Sequence, residues 1–83
     1  MFIGKGTHFY PKANIAQFDI QENEINIGDR ILIKGKTTGE QQMLLSEIFV
    51  NENRAQKAIA GDICTFKVPF RIRLSDKLYK VIE

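Results

Sequence analysis

The feature that most constrains this chain is its punctuation. No apolar run holds a helical period over any length, and short stretches of aromatic and β-branched residues are cut by turn signals roughly every 8–12 residues. Phe2 to Phe9 and Ile15 to Ile20 are two such stretches, and Tyr10-Pro11-Lys12-Ala13-Asn14 between them reads as a hairpin loop. Alternation in the second stretch turns Phe18 and Ile20 towards a core. Gly28-Asp29 delivers the chain into a run whose Ile31 and Ile33 point inward, and Gly61-Asp62 does the same for Ile63 to Val68, where Cys64, Phe66 and Val68 share a face. Residues 70 to 74 alternate Phe, Arg, Ile, Arg, Leu; Ser75-Asp76-Lys77 turns the chain, and Leu78 to Ile82 ends it as a strand. Gln42 to Val50 is apolar on both faces and fits strand or helix, with its length and neighbours favouring strand. Asn51 to Ala60 offers the one helical turn, over 54–60. The pattern predicts an all-β fold: a single domain over 1–83 with six or seven short strands, closed into a small antiparallel barrel rather than a sandwich, since closure removes exposed edges.

Composition narrows the chemistry. The 83 residues are 43% hydrophobic and 27% charged, close to the globular average, so the chain has the apolar content to fold. One cysteine and one histidine exclude an internal disulfide framework and a multi-cysteine zinc site. Cys64 reads as a small core residue, and His8 lies on another strand, so nucleophilic catalysis has no support. Glu22, Glu24 and Asp29 lack calcium-loop spacing. The expectation is therefore no catalytic residue, no metal, no cofactor and no enzyme. No apolar run nears the roughly 18 residues of a membrane span and no signal-peptide pattern opens the chain, which predicts a cytoplasmic protein without a membrane partner.

The net charge of +2 is unevenly spread: residues 1–16 carry two basic and no acidic side chains, 17–52 three and seven, and 53–83 seven and three. A barrel that brings its first and last strands together would gather both basic ends into one patch. Lys5, His8, Tyr10 and Lys12 combine cations with aromatic faces, the recipe of sheets that bind single strands, although solvated lysines beside a core Phe9 would look the same. Arg71 and Arg73 fall on one face of an extended segment and suit phosphates or carboxylates, or simply mark a charged edge strand. Lys34-Gly35-Lys36-Thr37-Thr38 echoes a phosphate-binding loop, but Arg30 stands where that loop needs glycine, so no nucleotide site is expected.

Ile3-Gly4-Lys5, Thr7-His8-Phe9-Tyr10-Pro11-Lys12 and Lys34-Gly35-Lys36-Thr37-Thr38, in that order, resemble the short barrel at the C-terminus of collagenase-like peptidase family proteins, many of which act in RNA hydroxylation. With Gly28-Asp29 and Gly61-Asp62 the pattern is also similar to the second-domain barrel of elongation factor Tu and to small freestanding translation-factor-like proteins. The resemblance implies a binding or adaptor module that docks on transfer RNA, ribosomal RNA or a ribonucleoprotein, with Lys5, His8, Tyr10, Lys12, Lys36, Arg71 and Arg73 as contacts. It carries over nothing from the catalytic domains of those families. The alternative is a protein-interaction module that meets a separate enzyme subunit or its own copy through an apolar strand such as Leu44 to Phe49.

Overall fold

A computed structural model describes residues 1–82. Among them are ten strands and no helix: β1 (Phe2–Tyr10), β2 (Ile15–Ile20), β3 (Glu24–Asn26), β4 (Arg30–Gly35), β5 (Gly39–Leu44), β6 (Ile48–Val50), β7 (Asn53–Ala55), β8 (Lys57–Ile59), β9 (Ile63–Lys67) and β10 (Lys77–Lys80). Eight form one antiparallel sheet in the order β5-β4-β10-β1-β2-β9-β6-β7, and β3 pairs with β8 in a second, two-stranded sheet. The all-β expectation holds, but closure does not. The large sheet keeps two free edges, β5 and β7, so it curls around the core without closing into the expected barrel.

The alternating residues fill that core as read from the sequence. Ala16, Phe18 and Ile20 from β2, Ile31 and Ile33 from β4, and Cys64 and Phe66 from β9 are all buried, joined by Ile3, Ile25, Ile48, Ile72 and Leu78. The Phe18 and Phe66 rings stack at 5.2 Å. Phe9 is only partly buried against this cluster.

Three segments depart from expectation. The helical turn over 54–60 is replaced by β7 and β8, because Asn51 (φ 52°) and Glu52 (φ 65°) form a two-residue reversal that folds β7 back on β6. The apolar stretch 42–50 is split between β5 and β6, with the Leu45 amide and carbonyl bonded to the Asp29 carbonyl and Gly28 amide. Leu45 and Ile48 fill the core and Met43 packs partly against it, while Leu44 is 56% exposed. Residues 70–74 form no strand; they run beside β1, tied by the Ser75 amide to the Gly6 carbonyl and by the Gly6 amide to the Asp76 carbonyl, with Ile72 alone fully inward.

One turn is used three times. In residues 26–29, 59–62 and 73–76 the aspartate at the end accepts the backbone N–H three residues earlier, at 2.8, 2.9 and 2.8 Å, while its own N–H returns to that residue's carbonyl. The third position has positive φ in each: Gly28 (98°), Gly61 (97°) and Ser75 (71°). Glycine takes that conformation freely and serine does not, which is why the sequence shows the first two copies as one device and Ser75-Asp76 only as a turn.

Candidate nucleic-acid interface

β1 positions three of the seven candidate residues, Lys5, His8 and Tyr10. It pairs with β10 on one side and β2 on the other, so the two basic ends of the chain do meet. An irregularity between Gly6 and His8 resets its alternation: Lys5 faces outward opposite Asp19, while beyond the extra residue His8 and Tyr10 face outward opposite Gln17 and Ile15. Thr7 anchors the bulge, its hydroxyl bonded to the Gln17 carbonyl and side-chain amide. The His8 and Tyr10 rings, both exposed, meet edge to face at 4.3 Å.

From that pair the outward face continues across the sheet. His8, Gln17, Thr65, Phe49 and Arg54 lie in register on β1, β2, β9, β6 and β7, and the Arg54 guanidinium sits 5.6 Å from the centre of the Phe49 ring. Between Tyr10 and Phe49 the face sinks into a groove of about 480 Å³ with Ile15, Gln17, Ile63 and Thr65 on its walls. Phe49 and Arg54 are site residues that the sequence reading missed; only the strand order, which brings β6 beside β9, places them with Tyr10.

A second assembly forms where β4, β10 and β1 lie side by side. Lys77 stands opposite Lys5 on one flank and opposite Lys34 on the other, and all three are exposed. The neighbouring register line carries Leu32, Tyr79 and Phe2, with the Phe2 and Tyr79 rings 5.7 Å apart. Lys34 and Lys77 are new to the site.

Lys36 and Arg73 are drawn to the same corner by Asp76, whose side chain is buried and accepts the Thr38 hydroxyl and, at 2.8 Å, the Arg73 N–H. Gly35 lies against that carboxylate so closely that any side-chain carbon there would collide with it. The Lys34-Gly35-Lys36-Thr37-Thr38 motif therefore wraps an anion belonging to the protein, and a phosphate would meet a carboxylate in that place. Lys12 sits in the exposed loop after Tyr10. Arg71 goes elsewhere: its guanidinium lies 5.6 Å from the Phe9 ring, and Phe9 faces inward opposite Ala16, so Arg71 does not join His8 and Tyr10.

Two groups have shifted titrations, one in the core and one partly exposed. Burial pushes the Cys64 thiol up to about 12, and the charge of Asp62 adds to the rise, which removes it from nucleophilic chemistry at neutral pH. Burial also raises the Asp29 carboxyl, but the Asn26 N–H and the Lys80 ammonium, 3.1 Å away, outweigh it and hold Asp29 below its ordinary value. Among the described residues no cluster of three potential metal ligands occurs, and no helix is long and apolar enough to cross a membrane.

No protein-family model matches the chain. A Porphyromonas gingivalis (strain ATCC BAA-308 / W83) protein named "Collagenase" is 35% identical over 80 residues, which are 96% of this chain and 19% of that protein. A Methanocaldococcus jannaschii protein named as an uncharacterized protease is 31% identical over 81 residues, 98% of this chain and 20% of its own length. Its relatives carry peptidase-family names. The crystallised C-terminal domain of the Geobacillus thermoleovorans "putative U32 peptidase" superposes with a TM-score of 0.88 over 94% of this chain and 96% of that domain, at 20% identity. A second structure of that domain gives 0.90 over 98% and 92%, also at 20% identity. The chain thus spans about a fifth of the curated relatives it matches, and the collagenase-like side of the resemblance is the side these comparisons carry. They also overturn one expectation. The expectation of no enzyme does not stand against relatives named as a collagenase and a protease, of which this chain matches about a fifth.

Proposed function

We propose that this chain is an accessory docking domain of a peptidase-family protein and that it holds single-stranded RNA, free or within a ribonucleoprotein, on the outward face of β1. The observation that carries the reading is the convergence there of an exposed His8–Tyr10 pair, Lys5, and the Lys34 and Lys77 side chains aligned with it. Aromatic faces stack on unpaired bases whatever their sequence, and ammonium groups neutralise phosphates. The translation-factor likeness of the sequence and a cytoplasmic setting belong to the same reading.

The test is titration of labelled single-stranded transfer RNA or ribosomal RNA fragments at low and moderate salt. Binding that weakens with salt is expected, and a His8→Ala, Tyr10→Ala variant should lose about 1–3 kcal/mol for each base it no longer stacks. No binding at low salt refutes the reading. The groove between Tyr10 and Phe49 favours a second one, docking of a protein segment, because Ile15 and Ile63 add apolar wall that bases do not need. Light scattering on the isolated chain and on mixtures with the remainder of a peptidase-family protein separates the two: a complex that forms without RNA and fails with Phe49→Ala supports the second.

A further inference from the structure

We propose that Lys34, Lys77 and Lys5 form a comb that grips the phosphodiester backbone of one RNA strand, an inference that rests on the RNA reading above and names the residues that hold the backbone. The three are far apart in sequence yet directly opposite one another on β4, β10 and β1, on the outward face, and all are exposed. Like charges in directly opposed positions destabilise a sheet, so such a line needs a reason. Protection of an edge is not that reason. Lysines that block aggregation belong on edge strands, whereas β4, β10 and β1 are all interior to the eight-stranded sheet.

Internal neutralisation does not supply the reason either. Glu40 and Asp19 stand at the two ends of the line, opposite Lys34 and Lys5. Among the described residues Lys34 reaches Glu40 only at 3.8 Å, with both side chains more than half exposed, and Lys5 and Lys77 make no ion pair at all. The comb thus presents positive charge bracketed by two carboxylates, which restricts a bound anion to its middle.

Strand spacing of about 4.8 Å makes the comb about 10 Å wide, room for two successive phosphates. The flanking line of Leu32, Tyr79 and Phe2 adds an aromatic shelf, and a cavity of about 460 Å³ lies over Leu32, Lys34 and Tyr79. Along β1 the outward face therefore runs from ring to cation to ring: Phe2 beside Tyr79, then Lys5, then His8 and Tyr10. An acidic peptide would use the cations and ignore the rings. A single strand of RNA uses both, which favours it as the occupant.

The experiment compares the wild-type chain with K5Q/K34Q/K77Q, using a single-stranded RNA decamer and poly-glutamate as probes over a salt series. Each phosphate contact on a single strand contributes about 0.7 to the slope of log K against log salt, so loss of two phosphate contacts in the triple variant should flatten the slope by about 1.4 and weaken RNA binding about tenfold or more at low salt. Its thermal midpoint should not fall, because the change relieves repulsion. RNA binding with an unchanged slope overturns the comb and leaves the RNA reading standing. A wild type that binds no RNA overturns the RNA reading and the comb with it. Poly-glutamate bound as tightly as RNA reassigns the comb to an acidic protein, and a lowered midpoint makes the lysines part of the fold; either result overturns the proposal.

Discussion

Replacing Asp76 by alanine should loosen the whole corner that carries Lys36 and Arg73. Its carboxylate accepts the Thr38 hydroxyl and, at 2.8 Å, the Arg73 N–H, and Asp76 is the only charged residue among the described residues to be buried. Hydrogen bonds to a charged group contribute about 1.5–3 kcal/mol each, and part is recovered here because the turn can rehydrate, so a loss of about 2–4 kcal/mol is expected. A domain of 83 residues has roughly 4–12 kcal/mol in total, on the usual range per residue. For that size the change corresponds to a fall of roughly 10–25 °C in Tm. Asp76→Asn keeps one carbonyl oxygen for both donors and should cost about half as much. Urea unfolding of D76A, T38V and the double variant measures the tie itself. The two changes should couple by about 1–2 kcal/mol, and additivity within about 0.5 kcal/mol would refute the clamp.

The threefold use of one turn yields a prediction of opposite signs. Ser75→Gly relieves a left-handed serine and should stabilise by up to about 1 kcal/mol, while Gly61→Ala should destabilise by at least that much, both read from urea midpoints. The depressed Asp29 carboxyl stabilises the fold fully above its unfolded value of about 3.9, and that contribution disappears as pH falls through the lower folded value. Wild type should therefore lose more stability than Asp29→Asn between pH 5 and pH 2.5, roughly the window of that titration; equal losses would remove the Lys80 pair from the account. Cys64 should resist a thiol-specific reagent at pH 8 until the chain is unfolded, and prompt reaction in the native state would contradict its burial.

The core was legible because it obeys local rules. Period-two alternation in Ala16-Gln17-Phe18-Asp19-Ile20 and in Cys64-Thr65-Phe66 needs no knowledge of the partner strand to say which side faces inward. What failed depended on distant partners. Lys57-Ala58-Ile59 reads as helix former by composition, yet its conformation is imposed by pairing with Glu24-Ile25-Asn26. Phe70 to Leu74 alternates as a strand should, but the neighbour it meets is the bulged part of β1, which leaves it outside the ladder. The same limit applies to the candidate site. His8 and Tyr10 are two residues apart and could be placed on one face from the sequence, whereas Lys5, Lys34 and Lys77 become neighbours only when the pairing of β4, β10 and β1 is known. Arg71 shows the converse, a basic residue drawn to the cluster by sequence and held away from it by Phe9.

The measurement that bears most directly on this account is a chemical-shift map of the chain titrated with a single-stranded RNA decamer. Shifts concentrated on Lys5, His8, Tyr10, Lys34, Lys77 and Tyr79, saturating together and fading as salt rises, are the expected result. Shifts confined to β3 and β8, or none at any salt concentration, would contradict the claim that the outward face of β1 is where this domain docks.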